Sequence, residues 1–366
     1  MKIVVVQDHL RSGGTERQSV LLANAFAAAG HDATLLSFRP DGALADTVTP
    51  RVRRIILQPF DFKLDWAAPG LRAAVRRAGP DVVLCMGRMA NCYAGSLQRE
   101  LPQAAVIATM RTGKRLPTRY QRSLATVRHI VANSRDARDT LVRAYGVDPQ
   151  RIAVIHNSLV FSAPDPAGAV ANLRAQFGAG PRTMVLLCVA MFRPEKNQRE
   201  LVEIARGLPA NIDWQLWLAG DGPARAECER SVMTQNLGAR VKFPGFVRNP
   251  VPLYAAADIA VHASASEALS NFLIEAQAHG LPAVAYAAQG IGECFEPDRT
   301  GWEIPRGQPE AFRVALLRLI HAPDHERKTL ADAAKAFAHR TFDPNQQVAA
   351  YLELFTRLQH GGTACA

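Results

Sequence analysis

The stretch "DIAVHASASEALSNFLIEAQAHGLPAVAY" (258–286) contains a complete strand, loop, helix and strand pattern. The β-branched run "DIAVHAS" predicts one buried strand and "LPAVAY" predicts another. The residues between them have the apolar spacing of a buried helix that begins near Ser270. Two strands joined by a helix are the repeating unit of a parallel sheet covered on both faces.

The same alternation runs along the whole chain. It begins with "KIVVVQ" (2–7), a helix near 15–29 and "HDATLLSF" (31–38), and it restarts with "TMVLLCVAM" (183–191). Between these two series, residues 156–170 are rich in Pro, Ala, Ser and Gly and resemble a linker. The sequence therefore predicts an α/β protein of two Rossmann-like doubly wound domains.

Domain bounds follow from where the alternation stops and restarts. Consecutive helices are predicted from about Pro309, and the last of them is "NQQVAAYLELFTRL" (345–358). We expect an N-terminal domain at residues 1–165, a C-terminal domain at residues 166–342, and a final helix with its tail at residues 343–366.

Composition indicates a globular protein without a membrane span. The 366 residues are 48% hydrophobic and 21% charged, and no apolar run reaches the roughly 18 to 20 residues that a span needs. The opening "MKIVVVQDHLRSGG" breaks its apolar stretch too early for a secretory signal. The six cysteines are far apart and lack zinc spacing, so we expect reduced thiols, no metal site and a cytoplasmic location.

Charge is uneven along the sequence. Residues 1–180 carry 24 Lys and Arg against 13 Asp and Glu, whereas the remainder carries 19 against 20. The run "RTGKRLPTRYQRSLATVR" (111–128) has six basic residues and no acidic one, which suits peripheral contact with an anionic membrane. A merely arginine-rich soluble surface is the alternative. Nucleic-acid binding is not expected, because interleaved aromatics and a recognition helix are lacking.

Two strand-to-helix loops have residues suited to phosphate. In "RSGGTER" (11–17), Gly13 and Gly14 would let a ligand approach the N-terminus of a helix, although a plain turn capped by Thr15 is the alternative. In "MFRPEKN" (191–197), Arg193 and Lys196 would stabilise the charge of a departing diphosphate, although a solvated turn has the same composition.

The loop of the opening stretch offers main-chain and carboxylate contacts together. Leu269, Ser270 and Asn271 would present backbone N–H groups at the helix start. Glu267 would lie in the loop, facing a ligand, and Glu275 would accept hydrogen bonds from two neighbouring hydroxyls, as in a ribose diol. Spacing alone leaves a second interpretation open. In it, Glu267 is a solvated charge in the loop, and Glu275 is a residue favoured near the start of a helix.

Together these motifs resemble the retaining glycosyltransferases of the GT-B fold, specifically family 4. The resemblance covers nearly all of the second half and rests on an ordered set of motifs. In chain order these are "GGTER", "RPEKN", "LAGDGP", "VKFPGFV", "YAAADIAV", "EALSNFLIE", "AHGLPAVA" and "GIGE…TG".

The resemblance implies a fold and a set of residue roles. The two Rossmann-like domains would face a central cleft, and the C-terminal helix would pack back on the first domain. Gly13 and Gly14 look like the loop nearest the donor phosphate or sugar, beside Glu16. Arg193 and Lys196 look like the diphosphate-binding pair. The remaining assignments are Glu267 facing the transferred sugar, Glu275 holding the ribose, and Leu269, Ser270 and Asn271 giving amide contacts.

The reaction implied is retaining transfer from a nucleotide sugar, a UDP-sugar by expectation, without a metal or other cofactor. A hexosyl or N-acetylhexosaminyl group would pass to a glycan or lipid-linked acceptor in cell-envelope polysaccharide or lipopolysaccharide synthesis. The protein would then lie in the cytoplasm, with peripheral contact to the inner face of the membrane. A sugar-nucleotide epimerase of similar fold and a non-catalytic nucleotide-sugar or nucleic-acid binding protein are the alternatives.

Three positions depart from the family pattern. Many members have a histidine after the strand near the acceptor, where this chain reads "ATMRTG" with Arg111 in its place. Arg111 would contact an anionic acceptor or a donor phosphate, or it is a solvated arginine at a strand end. The usual "PNGVD" reads "HNSLV" (156–160), and the glycine after the first glutamate is Ala268.

Overall fold

The computed structural model describes residues 1–40, 42–160 and 167–361. The chain divides into two compact units, here called unit 1 (Met1–Val160 with Pro344–Ala366) and unit 2 (Phe161–Asp343). Unit 2 is thus inserted into the sequence of unit 1. The first boundary between the units falls after residue 160, whereas the sequence pattern predicts it after residue 165.

The elements follow the predicted alternation. The strands are β1 Lys2–Gln7, β2 Asp32–Ser37, β3 Arg53–Ile56, β4 Val82–Cys85, β5 Ala105–Met110, β6 His129–Ala132, β7 Ile152–Val154, β8 Met184–Val189, β9 Trp214–Ala219, β10 Val241–Gly245, β11 Ile259–His262, β12 Ala283–Tyr286 and β13 Gly301–Ile304. The α-helices are α1 Gly14–Ala28, α2 Leu71–Ala78, α3 Arg88–Glu100, α4 Thr118–Thr126, α5 Arg135–Tyr145, α6 Ala167–Gln176, α7 Gln198–Arg206, α8 Arg225–Thr234, α9 Val251–Ala256, α10 Asn271–Ala278, α11 Pro309–Ile320, α12 Asp324–Thr341 and α13 Pro344–Gln359. Short 3₁₀ turns occupy Ala45–Thr47, Pro149–Arg151 and Pro194–Lys196.

Unit 1 is a parallel sheet with helices on both faces. Among the described residues its strands lie in the order β3-β2-β1-β4-β5-β6-β7. Helices α2, α3, α4 and α5 bury their apolar residues on one face. On the other face, α1 packs with Tyr351, Leu354 and Phe355 of α13. The C-terminal helix therefore packs on the first unit, as the resemblance implied.

Unit 2 repeats this architecture, and its described strands are parallel and lie in the order β10-β9-β8-β11-β12-β13. Its core is continuous from Leu201 on α7, through Trp214 and Val261 in the sheet, to Phe312 on α11. The prediction of two doubly wound α/β domains is confirmed. No helix in the described part of the chain is long and apolar enough to cross a bilayer.

Two local predictions were wrong or only partly testable. Helix α1 begins at Gly14 after Gly13, which makes no side-chain cap, so Thr15 does not cap it. Thr15 instead lies inside the first turn, where its carbonyl accepts from Ser19 Oγ at 2.9 Å. The predicted linker at 156–170 ends in helix α6, and its residues 161–166 lie outside the described residues.

A buried polar network in unit 1 joins the two segments that lead into and out of unit 2. The Gln18 amide donates to the Ser158 carbonyl at 2.7 Å and accepts from Ser158 N–H at 3.2 Å. Ser158 Oγ donates to Gln347 Oε1 at 2.9 Å, and Gln347 Nε2 donates to Gln18 Oε1 at 3.0 Å. All three side chains are buried, so they stabilise this region through bonds that water does not replace.

Candidate active site

Two loops at the carboxyl edge of the unit 2 sheet are tied together by one carbonyl group. The Glu195 carbonyl, in the loop after β8, accepts from Ala265 N at 2.7 Å and from Ser264 Oγ at 3.2 Å, both in the loop after β11. Neighbouring β8 and β11 pair in parallel, so their ends meet at the same edge. The predicted residues of "RPEKN" and "SEALSN" therefore lie close together.

Lys196 and Glu267 form an ion pair between these loops. Lys196 Nζ donates to Glu267 Oε1, and the same oxygen lies 2.8 Å from His262 Nε2. The Lys196 side chain is 21% exposed and that of Glu267 is 10% exposed, while His262 is buried at the end of β11. Within the described part of the chain, His262 Nδ1 has no hydrogen-bond partner and is buried. Lys196 and Glu267 were predicted to lie at one site, whereas His262 was not predicted there.

The environment keeps Glu267 ionised. Burial raises the pKa of its carboxyl, but the charge of Lys196 and the hydrogen bond from His262 outweigh that effect and lower the pKa to about 2. The carboxylate therefore stays negative at neutral pH and holds the Lys196 ammonium in place. An ammonium has three N–H donors, so Lys196 can bind Glu267 and an additional anion together.

Glu275 lies on α10 and is 4% exposed. Tyr254 OH donates to Glu275 Oε2 at 2.8 Å, and the ring of Tyr254 lies 4.9 Å from that of His279. Glu275 was predicted to accept hydrogen bonds from the hydroxyls of a ribose, and it lies buried beside Tyr254.

The junction before α10 fits the predicted helix start. Ser270 is the N-cap, and its Oγ accepts from Leu273 N at 3.4 Å. Leu269 and Ser270 are buried, and Asn271 is the first helical residue. Ala268 is absent from the positive-φ residues of the described chain, so the family glycine is not needed there for its backbone conformation.

Gly290 explains how the next loop packs on this junction. Its φ is +72°, and an added Cβ would lie 2.0 Å from the Ala268 carbonyl oxygen. Cys294 Sγ, one turn further, contacts the Gly290 carbonyl at 3.2 Å. Glycine is therefore required at position 290, the first residue of the "GIGE" motif, by backbone geometry.

Arg193 differs from Lys196 in its surroundings. It precedes the 3₁₀ turn and its side chain is exposed. The "LAGDGP" turn packs beneath this loop: Gly220 and Gly222 have positive φ, and added Cβ atoms would lie 2.0 and 2.4 Å from the carbonyl oxygens of Ala190 and Phe192. That turn positions the Arg193 loop and has a structural role.

In unit 1, the space beside Gly13 is filled by Glu16. A Cβ on Gly13 would lie 2.2 Å from Glu16 Oε2, and Glu16 Oε1 lies 3.1 Å from His9 Nδ1. Burial lowers the pKa of His9, but the hydrogen bond and charge of Glu16 outweigh it and raise that pKa. Gly13 therefore permits a close carboxylate contact, and Gly14 begins the helix.

Asp8, directly before His9, binds the start of α3. Its carboxylate accepts from Ala90 N at 2.7 Å and from Met89 N at 2.9 Å, which replaces the side-chain cap that Gly87 lacks. Burial raises the pKa of Asp8 to about 6, although both backbone bonds act against it. Asp8 and His9 were missed, yet polar residues directly after the first strand were the available signal.

Arg111 lies at the end of β5 and contacts the C-terminal helix. Its guanidinium donates to Asn157 Oδ1 and, at 2.6 Å, to Tyr351 OH. Its Nε is buried and has no hydrogen-bond partner within the described residues. Arg111 is half-buried, whereas Lys114, Arg115, Arg119 and Arg122 of the predicted basic surface are exposed.

Comparison with solved structures identifies the fold. One similar structure is that of Anabaena Alr3699/HepE, which was solved with UDP and glucose and also with UDP-glucose. It superimposes with a TM-score of 0.82 at 22% identity, covering 97% of this chain and 99% of that one. At this identity the likeness shows the fold, and the fold of this chain is GT-B.

Sequence comparison then gives the family. The sequence model of "Glycosyl transferases group 1" matches residues 170–337, and that of "Glycosyltransferase Family 4" matches residues 12–159. The chain belongs to the family 4 glycosyltransferases of the GT-B fold.

Curated relatives are matched over part of their length. "D-inositol 3-phosphate glycosyltransferase" of Rhodococcus jostii is 30% identical over 59% of this chain and 50% of the relative. "Lipopolysaccharide core biosynthesis glycosyltransferase LpsE" of Rhizobium meliloti is 28% identical over 50% of this chain and 53% of the relative. The chain thus spans about half the length of the curated relatives that it matches.

Proposed function

We propose that this protein is a retaining glycosyltransferase that moves a hexosyl or N-acetylhexosaminyl group from a UDP-sugar to a glycan or lipid-linked acceptor. The product would belong to cell-envelope polysaccharide or lipopolysaccharide. The observation that carries the proposal is the Lys196, Glu267 and His262 cluster at the carboxyl edge of the unit 2 sheet. Open α/β sheets bind their ligands at this edge.

Lys196 and Arg193 take the donor diphosphate in this proposal. Lys196 is held by Glu267 and keeps two N–H donors for phosphate oxygens, and exposed Arg193 adds a second cation. Leu269, Ser270 and Asn271 supply main-chain N–H groups at the start of α10. These cations and the helix dipole stabilise the departing diphosphate, so the reaction is proposed to need no metal or other cofactor.

Glu267 and Glu275 position the rest of the donor. Glu267 faces the transferred sugar, and Glu275, oriented by Tyr254, accepts hydrogen bonds from the ribose hydroxyls. Gly13 and Gly14 of unit 1 line the donor phosphate or sugar, and Glu16 contacts the acceptor or a phosphate. Arg111, oriented by Asn157 and Tyr351, contacts an anionic acceptor.

The proposed step keeps the anomeric configuration. The acceptor hydroxyl oxygen bonds to the anomeric carbon on the face from which the diphosphate departs, and the bond between that carbon and the phosphate oxygen breaks. The hydroxyl proton passes to the leaving phosphate oxygen. The products are the glycosylated acceptor and a nucleoside diphosphate, so no protein nucleophile is required.

A donor screen tests the proposal. The protein is titrated with a panel of nucleotide sugars by saturation-transfer spectroscopy, and products formed in membrane extracts are identified by mass spectrometry. We expect binding of a UDP-sugar and transfer that depends on acceptor. Conversion of the UDP-sugar without acceptor would indicate an epimerase instead, and binding of no nucleotide sugar together with salt-sensitive RNA binding would overturn the assignment.

A paired substitution tests the role of Lys196. Lys196→Ala is expected to lower kcat by about a hundredfold while Kd for the donor changes little, because the ammonium acts mainly on charge that develops in the transition state. Lys328→Ala, at an exposed lysine of α12, is the matched control and should leave kcat unchanged. Equal activity of Lys196→Ala and the unaltered protein would exclude the role.

A further inference from the structure

The loop between β3 and α2 exposes four large apolar side chains. Phe60, Phe62, Leu64 and Trp66, here called the aromatic loop, are all exposed, with Phe60 at 73% and Trp66 at 56%. They alternate with Asp61, Lys63 and Asp65 in "FDFKLDW". A contiguous exposed apolar patch of this kind indicates a surface that binds something.

The loop is ordered by hydrogen bonds to its own backbone. Buried Gln58 donates from Nε2 to the carbonyls of Leu64 at 2.9 Å and Ala67 at 2.8 Å. Tyr93 OH, on α3, donates to the Trp66 carbonyl at 2.8 Å. The aromatic side chains therefore project from a loop whose backbone is held by hydrogen bonds.

The acidic residues of the loop are turned toward a buried arginine. Arg39 Nε and Nη2 donate to Asp61 at 2.7 and 2.6 Å, and Arg39 also pairs with Asp65. Acidic side chains usually face solvent, and large aromatic side chains are usually buried. In this loop the carboxylates bind a buried arginine, while the aromatic rings face solvent. Arg11 also pairs with Asp65 at 3.2 Å, and Lys63 is exposed, so three cations accompany the two partly exposed carboxylates of this loop.

A basic surface lies on the other side of the same helix, α3. Arg88, at the start of α3, donates to the Arg115 carbonyl at 3.0 Å, and Ser123 Oγ of α4 accepts from Gly95 N at 2.7 Å. Exposed Lys114, Arg115, Arg119 and Arg122 thus flank α3 opposite the aromatic loop. Both surfaces lie on the face of the unit 1 sheet that carries α2 to α5.

We propose that the aromatic loop inserts into the interface of an anionic membrane while the basic surface of residues 114–122 binds the headgroups. Tryptophan and phenylalanine partition into the interfacial zone of a bilayer, and lysine and arginine are attracted to anionic lipid. A glycan would also stack on exposed rings, but it would not use the adjacent positive charge. The inference deepens the proposed function, because a lipid-linked acceptor is presented at such an interface.

Trp66 provides a direct readout. The other three tryptophans, Trp214, Trp217 and Trp302, are buried in unit 2. The protein is mixed at low salt with phosphatidylcholine vesicles that contain or lack phosphatidylglycerol. We expect a blue shift of tryptophan emission and quenching by brominated lipid only with the anionic vesicles, and loss of both signals in Trp66→Phe.

Substitutions separate insertion from charge attraction. Phe60→Ser with Phe62→Ser should weaken vesicle binding by at least about tenfold, because burial of one phenylalanine side chain is enough for such a factor. Met233→Ser with Val314→Ser, which removes exposed apolar groups from unit 2, is the matched control and should bind as the unaltered protein does. Arg119→Ser with Arg122→Ser should reduce the salt dependence of binding.

Several results would overturn the inference. One such result is tryptophan emission that does not change when anionic vesicles are added. Another is equal vesicle binding by the unaltered protein and by the variant with Phe60→Ser and Phe62→Ser. Quenching relieved by a soluble glycan would assign the loop to sugar stacking instead. These measurements use neither donor nor acceptor, so failure of the donor screen and failure of membrane insertion are separate outcomes.

Discussion

The ion pair between Lys196 and Glu267 allows a quantitative test of the candidate site. A fall in the Glu267 pKa from 4.5 to about 2 corresponds to about 3 kcal/mol of stabilisation of its ionised form in the folded protein. Lys196→Met leaves this carboxylate with His262 alone. We expect a loss of about 2 to 3 kcal/mol in the free energy of unfolding of unit 2, because a buried charge without its partner is costly.

Glu267→Gln should cost less, about 1 to 2 kcal/mol, because Lys196 is partly exposed and can turn its ammonium toward water. The double variant Lys196→Met with Glu267→Gln removes both charges. Its loss should be smaller than the sum of the two single losses by about 2 kcal/mol, which is the coupling energy of the pair.

The assay is urea unfolding followed by tryptophan fluorescence in a Trp66→Phe background. That background leaves Trp214, Trp217 and Trp302 as reporters, all in unit 2, so unfolding of unit 1 does not contribute. Additive losses in the double variant would refute the proposed coupling. The double variant should regain stability without regaining transfer, which separates the structural contribution of the pair from its role with the donor.

pH gives an independent check on the same carboxyl. Because the folded-state pKa of Glu267 is lowered, its stabilisation is fully present above pH 4.5 and is lost as pH falls toward about 2. The stability difference between the unaltered protein and Glu267→Gln should shrink across that range. A constant difference would show that the carboxyl is not ionised preferentially in the folded protein.

Three further substitutions have definite expected results. Tyr254→Phe removes a hydrogen-bond donor to Glu275 and should weaken UDP binding by about tenfold in calorimetric titration. Tyr286→Phe, the control, breaks a similar bond to Glu200 at 3.1 Å and should leave UDP affinity unchanged. Equal UDP affinities of the two variants would contradict the ribose role of Glu275. His262→Leu removes a hydrogen bond that lowers the pKa of Glu267, so the acid limb of the kcat/KM profile should move to higher pH, and an unmoved limb would show that His262 does not act on Glu267. Gly290→Ala should cost at least about 2 kcal/mol of unfolding free energy, because φ is positive and the Ala268 carbonyl fills the space, whereas Gly238→Ala, whose nearest contact is 3.8 Å, should cost well under that.

The fold was predictable because each strand and helix is determined largely by the residues within it. Runs such as "KIVVVQ" and "TMVLLCVAM" have the length and β-branched content of buried parallel strands, and both became strands. Gly146 ends helix α5 with φ of 63°, a conformation that favours glycine, so the residue type itself indicates the helix end. Such signals depend on neighbours within one turn or one strand, which the sequence shows directly.

The candidate site was predicted only in outline, because its contacts join distant parts of the chain. Lys196 and Glu267 were assigned to different groups of the donor, and their bond to each other depends on the pairing of β8 with β11. His262 looked like one residue of a strand, and only the path of the following loop brings Glu267 to it. Thr15 was a reasonable cap by type, but Glu16 turning back over Gly13 decided the local geometry.

The hydrogen bond between Ser158 and Gln347 has a practical consequence for dissecting the molecule. The segments that lead into and out of unit 2 are both hydrogen-bonded to Gln18, so the two segments lie side by side. Unit 2 is therefore inserted at one place in unit 1. A short glycine and serine bridge in place of residues 161–343 should therefore yield unit 1 as a continuous, independently folding polypeptide. Such a minimal protein would carry the aromatic loop and the C-terminal helix while lacking Lys196 and Glu267.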